Sequence, residues 1–300
     1  MPLLTVVILV RNEAIHIERA LASVAGVADR CYVVDSGSTD NTVPLATAAG
    51  AHVIQREWVN YSTQFNWAIQ QLPDDTEWVM RLDADEIVTE SLAREIRDQL
   101  ALVPLTVSGI NVSRRMCFMG RVIRWGGVFP VRVVRLFRYG RGHIENRWMD
   151  EHVIVDGPIW EFWGEVLDDN RNSLGWWTEK HNKYAAREVV DLINLEHNVF
   201  SQETVADLGG KGGQAGRKRW IKERLYARLP IGLRAFSYFI YRFVIRLGFL
   251  DGSEGRAFHV LQGFWYRYLV DMKLHEVRQY MKTRAVGPKE AIRDVLGIEV

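Results

Sequence analysis

Apolar residues along the first hundred positions switch repeatedly between two periods. Residues 5–10 form an unbroken β-branched and aliphatic run, the pattern of a strand covered on both faces. Ile15, Ile17, Leu21 and Val24 follow at helical spacing with charges between them. Residues 31–34 make a second short apolar strand, residues 43–49 a helix ending at Gly50, and residues 52–55 a third strand. Residues 61–72 read as a helix stopped by Pro73, and residues 78–82 as a fourth strand. Strands alternating with helices at this spacing predict an α/β domain with an open, mostly parallel sheet flanked by helices.

In such sheets ligands bind beyond the carboxyl ends of the strands. Three polar clusters fall there: Arg11-Asn12-Glu13, Asp35-Ser36-Gly37-Ser38 and Asp83-Ala84-Asp85-Glu86. Carboxylates at i and i+2 just past a strand end can hold a divalent cation and a ribose together, and such a cation offsets the charge left on a diphosphate. An isolated D-x-D also marks an ordinary solvated turn, so its neighbours decide its meaning. Gln64 and Asn66, on the helix before the fourth strand, lie within reach of a sugar or diphosphate. Arg81 either binds phosphate or pairs with a carboxylate. Ser38 and Asp40 read as helix-capping residues.

Beyond residue 108 the pattern changes. Apolar and basic residues alternate over 131–137, which predicts β-structure decorated with loops. Arg132, Arg135 and Arg138 there are candidates to meet an anionic acceptor. Trp125-Gly126-Gly127 is either an acceptor-binding loop or a plain turn. Residues 176–196 return to helical spacing, and the glycine-rich stretch 209–216 reads as a linker. These shifts divide the chain into a catalytic domain over 1–208, with halves 1–105 and 106–208, and a helical region over 209–300.

Residues 229–250 are apolar enough to suggest a membrane span, but Arg234, Arg242 and Arg246 interrupt them at a cost that argues against crossing. On a helical wheel Phe236, Phe239, Ile240, Phe243 and Leu247 fall on one side, with Arg234, Tyr238 and Arg242 on the other. That arrangement predicts an amphipathic helix in a bilayer interface, or a helix packed on the catalytic domain with its arginines in water. The basic run from Lys211 to Arg246 and the aromatic stretch 264–269 favour the first and suggest an anionic membrane surface as partner.

Net charge of +1 excludes general electrostatic binding of nucleic acid. The two cysteines, Cys31 and Cys117, make no disulfide framework and read as packing thiols of a reducing, cytoplasmic protein. The apolar N-terminus is too short and too quickly followed by Arg11 and Glu13 for a signal peptide. The first strand is followed by no glycine-rich loop, which counts against a dinucleotide-binding dehydrogenase and a sugar-nucleotide nucleotidyltransferase.

Taken together, ILVRNEA, VDSGSTDNT and RLDADE, in this order at successive strand ends, resemble the family 2 glycosyltransferases of the GT-A fold. The resemblance implies an inverting, metal-dependent transfer from a nucleotide-diphosphate sugar. It places Asn12, Glu13, Asp35 and Ser36 at base and ribose; Arg11, Gln64, Asn66, Arg81 and Ala84, by their position near the crevice, are further candidates for the same donor site. Asp83 would sit by ribose and metal, and Asp85 would ligate Mn2+ or Mg2+. Inversion requires a general base downstream, for which Glu151 is the first choice and Asp150 the second. His152 would complete the metal shell, in competition with His181. The tail, from Arg228-Leu229-Pro230 through Gly248-Phe249-Leu250-Asp251-Gly252 to Gly255, resembles bacterial enzymes that glycosylate lipopolysaccharide core or lipid-linked glycans. That similarity implies a peripheral enzyme at the inner face of the cytoplasmic membrane, acting on a lipid-linked or lipopolysaccharide-type acceptor. The family often carries His-Glu where this chain has Asp150-Glu151-His152. A sugar-nucleotide nucleotidyltransferase and a non-catalytic membrane-docking protein of the same fold are the alternatives.

Overall fold

A computed structural model describes residues 3–146, 151–200 and 232–300. The chain divides into two compact units, described separately below. The first comprises Met1–Ile123, Val128–Glu145 and Glu151–Arg171, and the second Arg124–Gly127, Asn146–Asp150 and Asn172–Val300. The division thus falls at residue 171, ahead of the helix that the sequence pattern assigned to the catalytic domain. The predicted linker over 209–216 lies outside the described residues.

Among the described residues, nine strands of the first unit make one sheet. Strands β1 (Leu4–Val10), β2 (Arg30–Asp35), β3 (His52–Gln55) and β4 (Trp78–Arg81) run parallel in the order β3-β2-β1-β4. The register aligns Val10 with Asp35, so the first two polar clusters begin side by side. Past β4 the sheet turns mixed. β8 (Val131–Arg138) is antiparallel to β4 and to β6 (Gly109–Phe118), and β11 (Ile159–Asp169) runs parallel to β6. The short β5 (Glu86–Val88) closes the edge against β11, and β7 (Arg121–Val122) pairs with β6. A separate ribbon joins β9 (Gly142–Ile144) to β10 (Val153–Val155). The expected open sheet is therefore parallel in its first half, where each crossover is a helix, and mixed where hairpin-like connections take over.

Both faces of the sheet are covered. Helices α1 (Ile17–Val24) and α4 (Glu90–Gln99) bury Ile17, Leu21, Leu92 and Ile96 with Val6, Ile8, Met80 and Val166. On the other face α3 (Tyr61–Gln70) buries Phe65 and Ala68 with Val7, Val79 and Phe137. This two-sided cover explains why β1 and β4 read as continuous apolar runs. Gly164 of β11 allows α4 to approach closely, since a Cβ there would lie 2.4 Å from the Leu92 backbone. The crossover helix α2 (Thr42–Ala48) buries Ala46. Both cysteines are free thiols, and burial pushes Cys31 up to about 11 and Cys117 to about 12, as packing residues should behave.

The second unit is helical. Its core joins α5 (Leu174–His197) to α8 (Tyr266–Arg284) and α9 (Pro288–Leu296) through Ala185, Val189, Ile193, Val270, Leu274 and Ile292. Helix α6 (Leu233–Ile240) continues into a π-helical turn, Tyr241–Ile245, and α7 (Gly252–Val260) follows. No helix among the described residues is long and apolar enough to cross a membrane.

The expected helix over 229–250 is corrected in its polarity. Arg234 and Arg242, placed by the helical wheel on a wet face, are 6% and 4% exposed. Asp271, itself buried, accepts from Arg234 and draws it inward. Arg242 donates to the Gly126 carbonyl at 3.3 Å and lies 5.6 Å from the Tyr238 and Phe258 rings. A wheel cannot register such a partner, because Asp271 is 37 residues away in sequence.

Candidate active site

At the end of β4 the chain turns sharply, with the Glu86 amide donating to the Asp83 carbonyl at 2.9 Å. Asp83 is gripped from three sides. The Tyr61 hydroxyl donates to Oδ1 at 2.8 Å, Arg135 donates to Oδ2 at 3.2 Å, and Arg81 Nε stands 3.6 Å from Oδ1. Arg81 also lies over the Tyr61 ring, 4.4 Å from its centroid. Burial alone would raise the Asp83 carboxyl, but the Arg81 and Arg135 guanidiniums override it and hold it well below the usual range. Glu86, 1% exposed, is ion-paired to Arg135 and accepts from the Asp83 amide at 3.1 Å. Arg135 is thus a buried bridge between two carboxylates of one turn.

Asp85, two residues on, has different company. Asn170 Nδ2 donates to its Oδ2 at 2.8 Å, and the Asp169 amide donates to its carbonyl at 2.9 Å. Asp168 on β11 pairs in register with Glu86. Burial, and then the charge of Asp85, push the Asp168 carboxyl up to about 7, opposed by Arg114. Asp85 thus stands near enough to Asp168 for its charge to oppose ionisation there, and Arg114 offsets only part of that. Asp169 points away and is held by Arg19 at 2.6 Å and Arg171 at 3.2 Å.

The first two strand ends lock together. Asn12 has φ 57°, in the left-handed region that asparagine tolerates. Its amide donates to Ser38 Oγ at 2.8 Å, and its side-chain carbonyl accepts from the Thr39 amide at 2.8 Å. The Glu13 amide donates to Thr42 Oγ1 at 2.7 Å, and its carboxylate meets His16 Nδ1 at 2.6 Å. Arg11 is exposed beside them. Asp35, fully buried, turns onto its own loop and accepts from the Gly37 and Ser38 amides at 3.1–3.2 Å. Ser36 accepts from Gln64 at 3.1 Å. Ser38 is consequently a brace between two loops and not a cap: the N-cap of α2 is Asn41. Asp40 binds the Thr42 and Ala14 amides.

Several candidates serve the frame. Both amide atoms of Asn66 are taken by the Ile144 backbone, at 2.8 and 2.9 Å, so it fixes β9 and does not reach toward a sugar. Gln64 is fully buried, donating to Ser36 and to the Arg56 carbonyl, which places it behind the loop. Arg81 takes the carboxylate-pairing role. The three arginines expected to meet an acceptor are committed elsewhere. Arg132 binds Glu161, Ser113 and nearby carbonyls, Arg135 holds Asp83 and Glu86, and Arg138 lies over Trp78 while donating to Val103 and Val107 carbonyls. Basic residues alternating on a strand looked like a surface pattern, yet each found a partner across the sheet.

The base region is partly placed. Asp150 lies outside the described residues. Arg81 donates to the Glu151 carbonyl at 3.0 Å, which ties that residue to the Asp83 turn. His152 binds buried Glu145 through Nδ1 at 2.8 Å and through its amide at 3.0 Å. His181 belongs to α5 in the other unit. Its Nδ1 bonds to the Trp177 carbonyl at 2.8 Å, its ring stacks on Trp177, and burial lowers it to about 4. Among the described residues, no three His, Cys, Asp or Glu side chains converge to hold a metal.

The Trp125-Gly126-Gly127 loop belongs to the helical unit. Asp251 accepts from the Arg124 and Trp125 amides at 2.9 and 3.0 Å and meets His259 at 3.1 Å. Gly126 has φ 75°, and a Cβ there would lie 2.1 Å from the His259 ring. Only glycine fits.

Tyr61, Arg114, Asp168 and Asn170 escaped the sequence reading. The run Leu167-Asp168-Asp169-Asn170 carries the same signal as the other clusters, carboxylates at a strand end. It went unread because β11 itself was not anticipated.

A family model described as glycosyl transferase family 2 matches residues 5–119, the span that holds all three strand-end clusters. Over its length the chain is similar to proteins named uncharacterized glycosyltransferase. It is 38% identical over 281 residues to one from Rickettsia prowazekii, covering 90% of this chain and 86% of that protein. It is 37% identical to one from Rickettsia felis over the same share of this chain and 88% of the relative. Among solved structures, one of glucosyl-3-phosphoglycerate synthase from Mycobacterium tuberculosis, in complex with Mn2+, UDP and glucosyl-3-phosphoglycerate, matches with a TM-score of 0.32 and 22% identity. That match covers 38% of this chain and 44% of the other. The near-full-length relatives, together with the matched family model, show that the chain belongs to glycosyl transferase family 2 and is a glycosyltransferase.

Proposed function

We propose that this glycosyltransferase takes its sugar from a nucleotide-diphosphate donor, with Mn2+ or Mg2+, and inverts the anomeric centre. The acceptor in this reading is a lipid-linked or lipopolysaccharide-type glycan at the inner face of the cytoplasmic membrane. The single observation behind it is the unequal company of the two D-x-D carboxylates. Asp83 is fixed and neutralised by arginines, whereas Asp85 faces Asp168 and Asn170 with negative charge left over.

That surplus fits a hard divalent cation. Mg2+ and similar ions are held by one or two carboxylates plus substrate phosphates more often than by a complete protein cage. Asp85 and Asp168 would hold it, with the Asn170 side-chain carbonyl as a further oxygen. When bound, the cation supplies charge stabilisation for the departing diphosphate. Asp83, held rigid by Tyr61, Arg81 and Arg135, presents a fixed acceptor to a ribose hydroxyl. The Asn12 and Asp35 loops, braced through Ser38, offer a preformed seat for the nucleoside.

An acceptor hydroxyl attacking opposite the leaving group needs a base to take its proton. Glu151 suits that role because Arg81 anchors its backbone to the Asp83 turn. Asp150 is the second choice.

Screening UDP-, GDP- and dTDP-sugars for metal-stimulated hydrolysis tests the reading and names the donor. Asp85→Ala should reduce turnover by roughly 10²- to 10³-fold with an unchanged melting temperature, as for loss of a group that stabilises transition-state charge. Undiminished turnover in that variant, or turnover indifferent to chelation, would sink the metal assignment.

A further inference from the structure

The helical unit carries its polarity inside out over 233–250, and we infer that this stretch is a surface that inserts into an anionic lipid bilayer. Its arginines Arg234 and Arg242 are buried, while Phe236, Tyr241, Val244, Ile245, Phe249 and Leu250 are exposed. Ile245 is 66% exposed. A water-facing helix has the opposite arrangement.

The surface is held in shape. The Arg234–Asp271 pair ties α6 to α8, and the Gly126 amide donates to the Arg246 carbonyl at 2.9 Å. Leu247 adopts φ 60°, a left-handed conformation that glycine or asparagine takes at less cost. Leucine instead adds another exposed apolar side chain at a strained position.

Charge selects the occupant. Among the described residues from 232 to 260, Arg246 and Arg256 are exposed, acidic Glu254 is half-buried and acidic Asp251 is buried. The adjoining sequence from 209 to 231 carries seven basic residues against Glu223 alone. Pairing two copies of such a surface would oppose like charges, whereas an anionic headgroup layer with an apolar interior complements both features. The inference deepens the proposed function, since a lipid-linked acceptor resides at such a layer, but its test needs no turnover.

The test is flotation of the full chain with phosphatidylcholine vesicles, with or without phosphatidylglycerol. Wild type should float with the anionic vesicles, and Ile245→Glu/Phe249→Glu should lower the partition at least about tenfold. A control at an exposed apolar residue of the sheet unit, Leu105→Glu, should float like wild type. Melting curves check folding, and Ile245→Gln/Phe249→Gln repeats the test without added charge. The inference is overturned if wild type stays with the pellet, if the double variants float as wild type does, or if they instead split a dimer into monomers. Donor hydrolysis in vesicle-free buffer should be the same in wild type and both double variants. Its absence from wild type, with flotation as expected, would remove the proposed donor reaction and leave the surface standing.

Discussion

Both units bury arginines, and they do so for different ends. In the sheet unit Arg135 is 3% exposed and faces two carboxylates, Asp83 and Glu86, so its charge is matched and it fixes the turn after β4. In the helical unit Arg242 is 4% exposed and faces a carbonyl and two aromatic rings, with no carboxylate. Burial accordingly lowers Arg242, whereas Glu86 and Asp83 overcome the same burial and raise Arg135. Arg135 is matched by carboxylates and fixes a turn, whereas Arg242 meets a carbonyl and aromatic rings beneath an apolar exterior. The difference teaches where each unit places its buried arginines: against carboxylates at a strand end in one, and beneath an exposed apolar surface in the other.

Three substitutions probe that contrast. Arg135→Met strands Glu86 and Asp83 and should cost about 3–5 kcal/mol in urea unfolding, as for breaking a buried pair. Adding Glu86→Leu should restore most of that stability; if it does not, the bridge is not what Arg135 contributes. Gly126→Ala forces a left-handed alanine against the His259 ring and should destabilise by about 2–4 kcal/mol, combining strain with overpacking. A melting temperature equal to wild type would mean that the Asp251–His259 clamp does not hold this loop. Arg242→Met is expected to change stability least, by about 1 kcal/mol or less and of either sign, because desolvation offsets what its partners return. A loss as large as that of Arg135→Met would erase the distinction between the two sites.

Much of the first half was legible. Residues 52–55 match β3 to the residue, and β1, β2 and β4 match within one, because β1, β2 and β4 are short apolar runs between turn residues and β3 keeps an apolar pair, Val53-Ile54, between two helices. The three strand-end clusters followed from that alternation alone. Strand β11 was hidden because Ile159–Asp169 mixes tryptophans, acids and Gly164, and its pairing with β6 is set 50 residues away. With β11 unseen, Asp168 and Asn170 could not be placed beside Asp85.

Local pattern therefore determined the parallel half of the sheet, the three polar clusters and the family resemblance, since these depend on period and on neighbours in sequence. Tertiary structure alone decided which carboxylate arginines grip and which one stands by another acid, because Arg135 and Asp168 reach the turn from distant strands. It likewise decided that Arg234 and Arg242 point inward: a helical wheel records spacing, whereas a charge turns toward whichever partner the fold brings near, here Asp271 and the Gly126 carbonyl.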